Sequence, residues 1–139
     1  MRFWDSSALV PLCLEQPSTE RARALYQQDS EIVVWWASPV ECASAFARLR
    51  REDVLDDAGR ASALGVLQAL QGAWYEVVPG DALRAHALRL LRLHPLRSAD
   101  ALQLAAAIEW AGVPAGGDLV SFDERLKAAA RLEGFTTTD

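Results

Sequence analysis

The sequence predicts an α/β fold, a three-layer α/β/α sandwich around a mostly parallel central sheet of four to five strands. Three observations carry this. Short runs rich in β-branched and aromatic residues recur along the chain. Segments with helical periodicity separate them. The runs are apolar at successive positions rather than alternating, as expected of parallel strands covered on both faces.

Phe3–Trp4 is the first strand, and Ser6 or Ser7 suits the N-cap of a helix that runs to about Glu15. Ser18 to Gln28 reads as a second helix, with Ala22, Leu25 and Tyr26 on one face. Ile32–Trp36 is the second strand. Ser38-Pro39-Val40-Glu41 then has the form of a capping box with proline in the first turn, starting a helix to about Glu52. A further helix spans about Asp56 to Gln71, and Trp74–Val78 is the third strand, closed by Pro79-Gly80. Asp81 to Leu93 is helical until His94-Pro95 stops it. Ser98 to Ala111 is a strongly apolar helix with Ala101, Leu102, Ala105 and Ile108 in line. Pro114-Ala115-Gly116-Gly117 reads as a surface loop. Leu119–Ser121 is the fourth strand, followed by a helix from about Asp123 to Glu133 and a fifth strand near Thr136. No repeat or internal linker interrupts this order, so residues 1–139 are expected to form a single domain.

Composition narrows the class without naming a partner. With 51% apolar and 24% charged residues the chain is of globular type. No apolar run approaches the roughly 20 residues of a membrane helix, so no membrane partner is expected. The first residues enter a strand without the charged, apolar and cleavage segments of a secretory signal, which makes the cytoplasm the expected location. Cys13 and Cys42 sit in apolar helical contexts and read as buried free thiols. The net charge of −5 weighs against a nucleic-acid partner, yet all but one of the 14 basic residues are arginine, the side chain suited to phosphate. An acidic pocket with a basic rim would reconcile the two.

Ligands of open parallel sheets bind beyond the carboxyl ends of the strands, and this rule sorts the 19 acidic residues. Asp5 follows the first strand directly. Glu41 lies in the first turn of the helix after the second strand. Asp123 lies just past the fourth, and Asp100 opens the long apolar helix. Each has a plain structural explanation, as a turn residue, a capping-box glutamate or a complement to a helix dipole. Their shared edge is what those explanations omit. Two carboxylates about 4 Å apart repel by roughly 4 kcal/mol at an effective dielectric of 20, so such a cluster needs protons or a cation. Oxygen ligands without His or Cys favour Mg²⁺ or Mn²⁺ over zinc. Ser7 and Ser121 are the hydroxyls expected to face the cluster. Asp118, at the other end of the fourth strand, is excluded.

The strand followed by Asp5-Ser6-Ser7, Glu41 on the next helix, Ser98-Ala99-Asp100-Ala101-Leu102-Gln103-Leu104-Ala105, and Leu119-Val120-Ser121-Phe122-Asp123-Glu124-Arg125-Leu126 together resemble a PIN domain. Within that family the chain is most similar to the VapC-type toxin ribonucleases of toxin–antitoxin pairs. The resemblance implies an acidic quartet at Asp5, Glu41, Asp100 and Asp123, holding Mg²⁺ or Mn²⁺. It also implies a hydroxyl at Ser6 or Ser7, and another at Ser121. The activity implied is endonucleolytic hydrolysis of RNA by a metal-activated water, with a cognate antitoxin and a homodimer as partners. Arg97, three residues before Asp100, is the expected phosphate contact. His86 and His94 receive no role, and Trp35, Trp36 and Trp110 are expected in the core or a dimer interface. Two alternatives stand: a catalytically inactive PIN fold used as an interaction module, and an aspartate-based phosphatase or phosphotransferase. The second would favour a carboxylate where Ser7 stands, or a lysine after a late strand where Lys127 is instead helical.

Overall fold

The computed structural model describes residues 1–112 and 116–138. Its five strands are β1 (Arg2–Trp4), β2 (Ile32–Trp35), β3 (Tyr75–Val77), β4 (Asp118–Val120) and β5 (Thr136–Thr138). They pair in parallel throughout, in the order β3-β2-β1-β4-β5. The helices are α1 (Ser6–Cys13), α2 (Thr19–Gln28), α3 (Ser38–Arg51), α4 (Asp57–Gln71), α5 (Asp81–Leu93), α6 (Ser98–Ala111) and α7 (Glu124–Leu132). The expected sandwich is thus present, with its sheet wholly parallel among the described residues. Pro114 and Ala115 of the expected loop lie outside those residues.

The layers follow from the two-residue period of the strands. Phe3, Val33, Trp35 and Leu119 project to one face, where they pack with Leu83, Leu90, Leu104 and Leu126 from α5, α6 and α7. Trp4, Ile32, Val34 and Val120 project to the other, against Leu9, Leu25, Phe46 and Leu67 from α1 to α4. Each such buried side chain contributes about 1.5–3 kcal/mol of transfer free energy. Register keeps the sets apart, since Phe3 stands opposite both Val33 and Leu119. In α6, Ala105, Ala106 and Ala107 are all fully buried. Their small side chains let this helix pack at once on β2, β3 and α5.

Several helix ends differ from expectation for local reasons. Asp5, rather than Ser6 or Ser7, is the N-cap of α1, its carboxylate accepting the Ser7 amide at 3.2 Å. The capping box at Ser38 does not form: Ala37 takes the N-cap position without a side-chain bond, and Glu41 turns elsewhere. Helix α1 ends at Cys13, and the buried Thr19 hydroxyl closes it by donating to the Pro11 carbonyl at 2.8 Å. At the end of α7, Gly134 adopts φ 104°, a conformation open to glycine, and the Phe135 amide returns to the Ala130 carbonyl at 3.0 Å.

Cys13 and Cys42 are buried and free, as expected, and burial pushes the Cys13 thiol up to about 12. Trp35 is buried and Trp110 packs by Phe3 at 6.5 Å between ring centroids, but Trp36 is 53% exposed and is no core residue. His94 is not idle. It bonds the Glu133 carboxylate at 2.7 Å, and Arg89 grips the same carboxylate through both terminal nitrogens. No helix among the described residues is long and apolar enough to cross a membrane.

Candidate functional site

Chain order reverses direction between β1 and β4, which are neighbours although β2 and β3 extend the sheet the other way. Loops leaving such a pair diverge and open a crevice at their carboxyl ends. Asp5 stands at this point after β1, and Ser121 and Asp123 stand after β4. Asp118 opens β4, at the opposite end of the strand from Asp123, where Arg2 Nε lies 3.5 Å away.

Asp5 is the centre of the arrangement. Only 4% exposed, its Oδ2 accepts the Ser7 amide, the Ser7 hydroxyl and, at 3.0 Å, the Ser121 hydroxyl. Burial pushes the carboxyl up to about 6, the Ser7 and Ser121 bonds oppose this, and the neighbouring Glu41 charge adds to it. Ser121 Oγ also accepts the Asp123 amide at 3.0 Å, and Ser7 Oγ accepts the Phe122 amide at 2.9 Å. Both serines expected at the cluster therefore tie the β1 and β4 exits together.

Glu41 enters from α3. Ser6 Oγ donates to its Oε2 at 2.7 Å and reaches back toward Asp5 Oδ1 at 3.4 Å, linking the two acids. The same Oε2 accepts Gln103 Nε2 of α6 at 2.8 Å. Asp100 opens that helix, its Oδ2 accepting the Arg97 amide at 3.4 Å. Partial burial raises its pKa and the nearby Asp123 charge adds to this, against the opposing influence of the Arg97 amide, the Arg97 side chain and Arg125. Asp123 caps α7, its Oδ1 accepting the Leu126 amide at 3.0 Å. Asp100, Asp123, Arg97, Arg125 and Phe122 line one cleft, of about 640 Å³.

The four acids thus fall into two pairs, Asp5 with Glu41 and Asp100 with Asp123. Ser121 ties Asp5 to the Asp123 amide, and Gln103 ties Glu41 to the helix that Asp100 opens. Among the described residues, no three Asp, Glu, His or Cys side chains are gathered into a ready-made cation cage. In kind, however, the donors fit a hard divalent ion. Every carboxylate has one oxygen engaged by the protein. The second, at Asp5, accepts only the long Ser6 contact; at Glu41, Asp100 and Asp123 it accepts no bond among the described residues. Gln103 Oε1, buried beside Glu41, also lacks a protein partner.

Gln103 and Arg125 are the residues that sequence reasoning passed over. A polar side chain inside an otherwise apolar helical stripe is the signal that marks Gln103. Arg125 is marked only by standing two places after Asp123.

Comparison with known proteins agrees with this architecture. VapC20 of Mycobacterium tuberculosis, a Sarcin-Ricin loop cleaving toxin, superposes with a TM-score of 0.70 at 18% identity, over 98% of this chain and 97% of that one. FitAcB from Neisseria gonorrhoeae gives 0.68 at 14% identity, over 100% and 97%. FitAB bound to an IR36 DNA fragment gives 0.66 at 14%, over 99% and 94%. At these identities the likeness is one of fold. No individual curated protein sequence matches significantly. A family model described as PIN domain matches residues 2–132, and the chain belongs to the PIN domain family.

Proposed function

We propose that this PIN domain, spanning residues 1–139 as one unit, is a divalent-metal-dependent endoribonuclease of the VapC toxin type. The observation that carries the reading is the set of four carboxylates, each with one oxygen anchored by the protein and the other bearing at most the long Ser6 contact at Asp5. Asp5, Glu41, Asp100 and Asp123 are the residues that would hold Mg²⁺ or Mn²⁺. When bound, the ion supplies positive charge to the scissile phosphate and acidifies the attacking water.

The remaining roles fall to the chain itself. Ser7 and Ser121 hold Asp5 Oδ2 and so fix the plane of its carboxylate, leaving Oδ1 with only the long Ser6 contact. Arg97 and Arg125, on the rim beside Asp100, attract and position the phosphate backbone of RNA. No side-chain nucleophile is required. Attack by water rather than by the ribose 2′-hydroxyl leaves a 5′-phosphate on the downstream product. A protein of this kind acts in the cytoplasm and is held inactive by a cognate antitoxin, whose basic side chain suits the acidic crevice. A homodimer is the expected assembly.

The experiment compares RNA cleavage by the wild type and Asp5→Asn, each with Mg²⁺ or Mn²⁺ and then with EDTA. Cleavage confined to the metal-loaded wild type supports the reading. Equal activity in both proteins refutes it. The lack of a ready-made three-ligand cluster among the described residues favours one rival, a PIN fold that only binds, and a purified, metal-bound wild type that leaves RNA intact would establish that rival instead.

A further inference from the structure

We propose that Gln103 is a positioning residue for Glu41, holding its Oε2 so that Oε1 is presented to the cation site. This rests on the metal-dependent reading above. Gln103 is 1% exposed on a helix whose other buried residues are all Ala, Leu or Ile. An amide in such surroundings is costly unless its hydrogen bonds are made. Both of its N–H hydrogens have acceptors, Ser38 Oγ at 3.1 Å and Glu41 Oε2 at 2.8 Å, while its Oε1 accepts no bond among the described residues. Charge fixes which way the amide faces, because the reverse orientation sets its oxygen against a carboxylate. Ser6 donates to the same Glu41 oxygen from the opposite element. The Glu41 Oε2 is thereby engaged twice, and its Oε1 accepts no bond among the described residues.

Placement adds a second consequence. Asp100 and Gln103 are three residues apart on α6, hence on neighbouring surface positions. One helix therefore carries an acid of one pair and the clamp on an acid of the other. Gln103 sets the spacing across which the two pairs share an ion.

The competing explanation is a simple tie between α6 and α3 through Ser38. Calorimetric titration with Mn²⁺ separates them, run on the wild type, Gln103→Leu, Ser38→Ala and Glu41→Gln, with RNA cleavage and melting followed alongside. Gln103→Leu is expected to weaken Mn²⁺ binding about 10–100-fold, as loss of a ligand's supporting partner does elsewhere. Its cleavage should recover at saturating Mn²⁺. Ser38→Ala should melt lower yet bind Mn²⁺ normally, and adding Gln103→Leu to Glu41→Gln should cost nothing further. Gln103→Met keeps the volume should the leucine variant not fold. Unchanged Mn²⁺ affinity in the folded Gln103 variant, or an equal loss in Ser38→Ala, overturns the inference. A wild type that neither binds Mn²⁺ nor cleaves RNA overturns the nuclease reading itself, and this inference with it.

Discussion

Ser121 Oγ donates to Asp5 Oδ2 at 3.0 Å across 116 residues of chain. The same hydroxyl accepts the Asp123 amide, so one serine sets the spacing between the exits of β1 and β4. Ser121→Ala should lower cleavage about 10–100-fold through the misplaced carboxylate. Melting should fall by the equivalent of about 1.5–3 kcal/mol, the worth of a hydrogen bond to a charged group. Full activity in this variant would show that Asp5 is held adequately by Ser7 alone.

The acidity of Asp5 yields a prediction for the metal-free protein. Its folded carboxyl sits near 6, against 3.8 when free. A raised folded value means that its stabilising contribution is complete below about pH 4 and is lost as pH rises through 6. In EDTA at pH 8, Asp5→Asn is therefore expected to be more stable than the wild type by up to about 3 kcal/mol. Denaturant melts across pH 4 to 8 should show this gap closing toward pH 4. A variant less stable at pH 8 would mean that burial of the charge is not what strains the site.

Arg97 and Arg125 test the basic rim. Both line the cleft beside Asp100 and Asp123. Alanine at either position should weaken RNA binding and reduce the salt slope of log K by about 1, as the loss of one phosphate contact does. Catalytic rate at saturating RNA should change little. A salt slope identical to that of the wild type would place the RNA on another surface.

Away from the crevice, Glu133 is expected to matter for stability alone. Arg89 at 2.8 Å and His94 at 2.7 Å both hold it, and Arg89 above all keeps its pKa below the usual 4.5. A lowered value means that the contribution is present above pH 4.5 and fades as pH falls below it. Glu133→Gln should cost about 1–2 kcal/mol at pH 7, a modest figure because Arg89 is partly solvated. The cost should shrink in acid, with cleavage kinetics untouched.

Much of this was legible in the sequence because it depends on local order. Apolar runs marked the strands, and acids directly beyond them marked the edge on which a parallel sheet binds ligands. Asp5 and Asp123 stand as the N-caps that follow β1 and β4, and Glu41 and Asp100 in the first turns of α3 and α6. What escaped is what depends on distant partners. Glu41 forsakes its own helix start for Ser6 and Gln103, 35 and 62 residues away, so the capping box that its spacing suggests is absent. Asp5 displaces Ser6 and Ser7 from the N-cap because they are drawn to carboxylates. The contact between His94 and Glu133 was not legible because the partners lie 39 residues apart. Trp36 continues an apolar run but falls just past β2, half-exposed and edge-on to Trp35, so of the two places expected for it the core is ruled out.

The account requires that four carboxylates from four separate segments embrace one divalent site. The most direct measurement is an anomalous difference map from crystals soaked in Mn²⁺. A peak bounded by the free oxygens of Asp5, Glu41, Asp100 and Asp123, lost in crystals of Asp5→Asn, is the predicted result. Mn²⁺ bound elsewhere, or an empty crevice in a protein that cleaves RNA just as well in EDTA, would contradict it.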